Sequence, residues 1–121
     1  MVKNALIVDD SATMRSMIKS VLEENGYQTL SAGDGAKALK ILGQSTVDVI
    51  ITDINMPNMD GIELIKELRR QKNSAYTPIL VISTEGGENL KKAGKEAGAS
   101  GWIVKPFKAE TLTQALNKLV K

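Results

Sequence analysis

Four short stretches carry the residues able to do chemistry: Asp9-Asp10, Asp53, Ser83-Thr84 and Lys105-Pro106. Each follows an apolar run, respectively ALIV (5–8), VDVIIT (47–52), PILVIS (78–83) and GWIV (101–104). Singly, each has an ordinary reading. Asp9 or Asp10 could cap a helix starting near Thr13, and Asp53 could open the turn that Asn55 and Pro57 complete. Ser83 and Thr84 are common strand-end residues, and a lone Lys105 is usually solvated. Taken as a set they bring carboxylates, a hydroxyl and a lysine to strand ends. Two like charges about 4 Å apart repel by roughly 4 kcal/mol at an effective dielectric of 20, so clustered carboxylates call for a cation. Oxygen ligands, few in number, suit magnesium, which keeps part of its water shell and shares the rest with phosphate oxygens. A carboxylate nucleophile, a divalent metal, a hydroxyl and a lysine together are what phosphoryl transfer onto an aspartate requires.

Those residues converge only if the elements beneath them run side by side. With YQTLSA (27–32), the apolar runs number five, and helical patterns separate them. Met14, Met17, Ile18, Val21 and Leu22 fall at the spacing that lays one stripe on a core, and Gly26 sits where a helix C-terminus is expected. Leu112, Ala115, Leu116, Leu119 and Val120 repeat the spacing at the end. Shorter patterns cover Asp34–Leu42, Asp60–Gln71 and Glu88–Ala97. The last is built on Leu90, Ala93, Gly94 and Ala97, so weakly apolar that it is expected to be the least rigid helix. Strand and helix alternating in this way imply parallel pairing with right-handed crossovers. The unbroken apolar character of VIIT and ILVI fits central strands buried on both faces. The expected fold is a doubly wound α/β sandwich, whose ligands bind at the carboxyl ends of the strands where the strand order switches.

Composition narrows the chemistry further. The chain has 121 residues, enough for one domain with its own core, and neither cysteine nor histidine. That removes zinc sites, thiol nucleophiles, Ser-His-Asp catalysis and a phosphohistidine carrier role. A net charge of +2 argues against nucleic-acid binding by phosphate neutralisation. The opening MVKNALIVDD is too short in apolar residues for a signal peptide, and no segment is long enough to span a membrane, so a cytoplasmic protein is expected. Charge is uneven: from Gly86 onward seven lysines, Lys121 among them, face three glutamates, giving +4 there and −2 before it.

The segments LIVDDSATMR, DINMPNMDG, Ser83-Thr84-Glu85 and GASGWIVKPF resemble the receiver domain of response regulators, over the whole chain and most closely its CheY-like chemotaxis members. The resemblance implies a five-stranded parallel (βα)5 sheet of flavodoxin-like type in the order 2-1-3-4-5, and a single receiver domain over 1–121 with no output domain. It implies that Asp53 accepts a phosphoryl group from a sensor histidine kinase. Asp10, Asp53 and the backbone carbonyl of Asn55 would bind magnesium, with Asp9 acting through water. Ser83 would bond the phosphoryl group and Lys105 pair with it, across a cis Lys105-Pro106 bond. Trp102, with Thr84 and Glu85, would carry the change to a partner face on the fourth helix, fifth strand and fifth helix, where Lys91, Lys92 and Lys108 suit an acidic segment. Such relatives are monomers that engage a kinase, a flagellar motor switch protein and a phosphatase. Asn55 and Glu85 point to a short-lived acyl phosphate.

Three departures stand out. Thr84 replaces a smaller residue and is expected to narrow access to Asp53, Trp102 replaces the usual Tyr and needs more room inward, and Gly86-Gly87 is expected to loosen the loop after the fourth strand. Other readings remain. A single-domain relay passing phosphate onward shares every motif. A magnesium-dependent phosphohydrolase would need a general acid where Asn55 stands. A flavin binder would need a phosphate-cradling loop where DDSATM is acidic.

Overall fold

The computed structural model describes residues 2–120, so Lys121 of the late lysine surplus lies outside the described residues. Five strands, β1 (Lys3–Val8), β2 (Tyr27–Ala32), β3 (Val49–Thr52), β4 (Ile79–Ser83) and β5 (Gly101–Val104), alternate with α1 (Ala12–Glu24), α2 (Gly35–Leu42), α3 (Gly61–Arg70), α4 (Glu88–Ala97) and α5 (Ala109–Leu119). They form one parallel sheet in the order β2-β1-β3-β4-β5, as the resemblance implied. The order reverses between β1 and β3, which places a crevice above their carboxyl ends.

Side chains that alternate along the central strands build two cores. Ile7, Ile51, Leu80 and Ile82 meet Ile18 and Leu22 of α1 and Leu112 and Leu116 of α5. Leu6, Ile50, Ile79 and Val81 meet Leu42 of α2 and Leu64, Ile65 and Leu68 of α3 on the other face. Strands β3 and β4 are buried along their full length, which is why VIIT and ILVI carry no polar alternation.

The helix starts refine the expectations. Ser11, not Asp9 or Asp10, caps α1, its Oγ accepting from the Met14 N–H at 3.2 Å. Both aspartates are thereby free of the capping role. Asp34 caps α2 and Asp60 caps α3 in the same way. The stripe expected on α1 is narrower than its spacing suggested: Ile18 and Leu22 are buried, but Met17 is 50% exposed. The buried line of α1 follows the i, i+4 pair Ile18–Leu22, and Met17 falls on the solvent side of it.

Helix α4 is attached unevenly. Its N-cap, Gly87, offers no side-chain bond, and Gly94 is its single buried residue. Its other end is held by a guanidinium. Arg69 of α3 donates from Nη2 and Nε to the Gly98 carbonyl at 2.7 and 3.2 Å, and from Nη1 to the carbonyls of Thr77 and Ser74 at 2.7 and 2.8 Å. Burial lowers the Arg69 pKa, yet guanidinium stays protonated in proteins. Arg69→Met should therefore leave these carbonyls without a donor and cost about 2–4 kcal/mol, the penalty of several part-buried acceptors. Urea unfolding measures the loss, and amide exchange should quicken first at the C-terminal end of α4.

Candidate functional site

Backbone pairing delivers the carboxylates. The ladder continues one residue past the strands, Asp9 N–H donating to the Ala32 carbonyl at 3.2 Å and Asp53 N–H to the Val8 carbonyl at 3.0 Å. Asp9 and Asp53 are thus seated at adjacent strand ends, only 2% and 8% exposed, with the more open Asp10 beside them. One oxygen from each of Asp9, Asp10 and Asp53 lies within 4.8 Å of the others. Lys105, arriving from β5, places Nζ 3.1 Å from Asp9 Oδ2 and 3.0 Å from Asp53 Oδ2. The second oxygens are held by backbone: Asp53 Oδ1 accepts from the Ile54 N–H at 2.7 Å, and Asp9 Oδ1 from the Ser11 N–H at 2.9 Å. Both buried carboxylates are therefore oriented on two sides.

Burial alone would lower the Lys105 pKa, but the hydrogen bonds and charges of Asp53 and Asp9 outweigh it and raise it above the usual lysine range. Lys105 is thus a full cation shared by two carboxylates. With Asp10, three carboxylates face the one lysine, leaving the cluster net negative. A divalent ion with hard oxygen preference matches both the charge and the donor set. Arg15 was not anticipated from the sequence: its Nη1 donates to the Asp9 carbonyl at 2.6 Å, adding a cation at the edge of the cluster.

Ser83 is fully buried at the end of β4, and its Oγ accepts from the Glu85 N–H at 3.2 Å. Lys105 N–H donates to the Ser83 carbonyl at 2.7 Å, tying the ends of β4 and β5 together, and the Lys105-Pro106 peptide is cis. Across the mouth, Asn55 Nδ2 donates to Glu85 Oε2 at 3.1 Å. Trp102 Nε1 donates to the Glu85 carbonyl at 2.9 Å. Thr84 is exposed beside this segment.

Lys91 lines a cavity of about 290 Å³ between α4 and β5 together with Lys95 and Trp102, while Lys92 and Lys108 are exposed but do not line it. Lys95 was not singled out from the sequence, although its i, i+4 spacing from Lys91 puts both on one helix face. The loop after β4 also differs from expectation. A Cβ on Gly86 would come 2.6 Å from Val104 Cγ2, so Gly86 is there for close approach to β5, whereas Gly87 faces open space.

With this geometry in view, comparison with known proteins is specific. The response regulator receiver domain family matches residues 5–117. The chain is 41% identical over 115 residues to chemotaxis protein CheY-3 of Vibrio cholerae serotype O1, covering 94% of this chain and 88% of the relative. It is 37% identical to chemotaxis protein CheY of Pseudomonas aeruginosa, covering 94% and 93%. The crystal structure of Vibrio cholerae CheY4 at low pH superposes with a TM-score of 0.95 at 42% identity, over 99% of this chain and 100% of that one. The receiver domain of a sensor histidine kinase from Pseudomonas aeruginosa PAO1, with a magnesium ion in its active-site cleft, superposes with a TM-score of 0.90 at 25% identity, over 98% of both chains. No helix among the described residues is long and apolar enough to cross a membrane. The chain belongs to the response regulator receiver domain family, and within it to the CheY-like chemotaxis signalling proteins.

Proposed function

We propose that the chain is a phosphorylation switch, a receiver domain in which Asp53 accepts a phosphoryl group from the phosphohistidine of a CheA-like sensor kinase. The observation that carries this is the Lys105 ammonium shared between Asp9 and Asp53 at the topological switch point. A carboxylate oriented by a backbone N–H and a lysine is a positioned nucleophile. Its oxygen attacks phosphorus, the bond between phosphorus and the donor nitrogen breaks, and the imidazole departs with the electron pair. Lys105 then follows the negative charge from the carboxylate to the phosphoryl oxygens, and the Ser83 hydroxyl donates to the same group. When bound, magnesium would be held by Asp10, Asp53 and the Asn55 carbonyl, with Asp9 behind them, and would neutralise charge on the transferring oxygens. The support for that metal is the three-carboxylate donor set here and the magnesium ion in the cleft of the kinase receiver domain.

The protein catalyses only its own phosphorylation and dephosphorylation. Output passes through Thr84, Glu85 and Trp102 to the α4–β5–α5 face, where Lys91, Lys92 and Lys108 receive an acidic partner segment. Its relatives are chemotaxis proteins, so the reading is a cytoplasmic monomer that reports to a flagellar motor switch protein and is reset by a phosphatase. Incubation with acetyl phosphate and magnesium should add one phosphoryl group by intact mass, and chelation should prevent it. A chain that stays unmodified under those conditions ends the proposal.

A further inference from the structure

We infer that the loop between β2 and α2, which contributes no residue to the site, is a brace that sets its magnesium affinity: Gly35 makes room for the Met59 side chain, and that contact holds in place the β3–α3 loop carrying Asn55. The inference rests on the metal reading of the Asp9, Asp10 and Asp53 cluster.

Gly35 is the first residue of α2 and is buried. Alanine is the better helix former. Positive φ occurs at Gly26 and Gly98 but not at Gly35, so backbone conformation does not call for glycine here either. The reason for it is steric. A Cβ on Gly35 would stand 2.9 Å from Met59 Sδ, 3.2 Å from Cγ and 3.3 Å from Cβ. The Met59 stem thus lies along Gly35 from its root to its sulfur. A thioether can swing aside, because methionine is flexible, but Cβ moves only with its backbone.

Both sides of this contact are tied down. On the α2 side, Asp34 Oδ1 accepts from the Lys37 N–H at 2.8 Å, the Asp34 carbonyl accepts from the Ala38 N–H at 3.2 Å, and the Ala32 carbonyl accepts from the Asp9 N–H at 3.2 Å. On the other side, the Met59 N–H donates to the Pro57 carbonyl at 2.8 Å, and Asn58 between them is left-handed at φ 70°. The Gly61 N–H closes the same loop on the Ile54 carbonyl at 2.8 Å. Asn55, whose carbonyl is assigned to the metal, lies inside that closed loop, and the Ile54 N–H beside it holds Asp53 Oδ1 at 2.7 Å. A push on Met59 Cβ is therefore passed along the loop toward two proposed metal ligands. Gly35 and Met59 take no part in the chemistry and are positioning residues.

Titration with magnesium chloride, followed by the amide NMR signals of Ile54 and Asn55, reads the affinity with no phosphoryl donor present. Gly35→Ala should weaken binding by about tenfold, the scale found for residues that orient metal ligands. Met59→Ala removes the stem and should weaken binding as well. Adding Gly35→Ala to Met59→Ala should weaken it no further, because the methyl then has space. In that background the methyl should also raise the metal-free melting temperature by a few degrees, as alanine does in a helix, whereas in the wild-type background it should not. Arg69→Met, which loosens the opposite end of α3, should keep the wild-type affinity and so separates positioning from general loss of stability. Wild-type affinity in Gly35→Ala or in Met59→Ala would overturn the inference. So would an equal effect of Gly35→Ala in both backgrounds, or an equal loss of affinity in Arg69→Met. A wild-type chain whose Ile54 and Asn55 signals ignore magnesium would instead overturn the metal reading, and the brace with it.

Discussion

Asp53→Asn is expected to abolish phosphoryl uptake from acetyl phosphate while leaving the fold intact. The amide oxygen can still accept from the Ile54 N–H, as Asp53 Oδ1 does at 2.7 Å, so the strand end keeps its shape. What is lost is the nucleophile: a neutral amide oxygen does not attack phosphorus at a useful rate. Lys105 keeps Asp9 as a partner at 3.1 Å. The cluster of three carboxylates against one lysine loses one negative charge, which lowers repulsion among the rest. Stability without metal should consequently hold or rise, by about 1 kcal/mol at most. Magnesium affinity should fall by about tenfold or more, since the remaining donors carry less charge. Intact mass after acetyl phosphate treatment, urea unfolding and a magnesium titration separate these effects. Phosphate uptake by the variant at the wild-type level would move the acceptor to another residue.

The strand ends were legible because apolar runs stop at polar residues and a parallel sheet brings those stops to one edge. Asp9, Asp53 and Lys105 could be grouped on that logic alone, and the structure brings their side chains within hydrogen-bond range. The α1 cap was not legible, because Asp10 and Ser11 are both good capping residues and only the backbone direction after β1 chooses Ser11. Met17 carries the right spacing for the core, but how wide a stripe is covered depends on how α1 sits against its neighbours. Arg69 and Gly94 were hidden for a different reason. An arginine serving four carbonyls, and a glycine making room for an indole, are matches between elements that no local pattern announces. Gly86-Gly87 shows the same limit: adjacent identical residues, one required by Val104 and one free.

Gly61→Ala should couple a loss of stability to a loss of site geometry. Gly61 opens α3 directly after its cap, Asp60, and its N–H donates to the Ile54 carbonyl at 2.8 Å, closing the loop that begins at the phosphoacceptor. A methyl there would stand 2.8 Å from Ile54 Cα. That neighbour is backbone, so no rotamer change relieves the contact and the loop itself must move. Overpacking of this kind costs about 2–3 kcal/mol. The consequence reaches the chemistry because the Ile54 N–H is what holds Asp53 Oδ1. If Ile54 is displaced, the carboxylate loses its orientation toward Lys105 and toward an incoming phosphorus, and labelling by acetyl phosphate should slow along with the drop in stability. Gly87→Ala is the matched control, since nothing lies within 4 Å of its Cβ and the change should be nearly neutral in both assays. Equal stability and labelling in the Gly61 and Gly87 variants would mean that the close approach at Gly61 does not hold Asp53 in place.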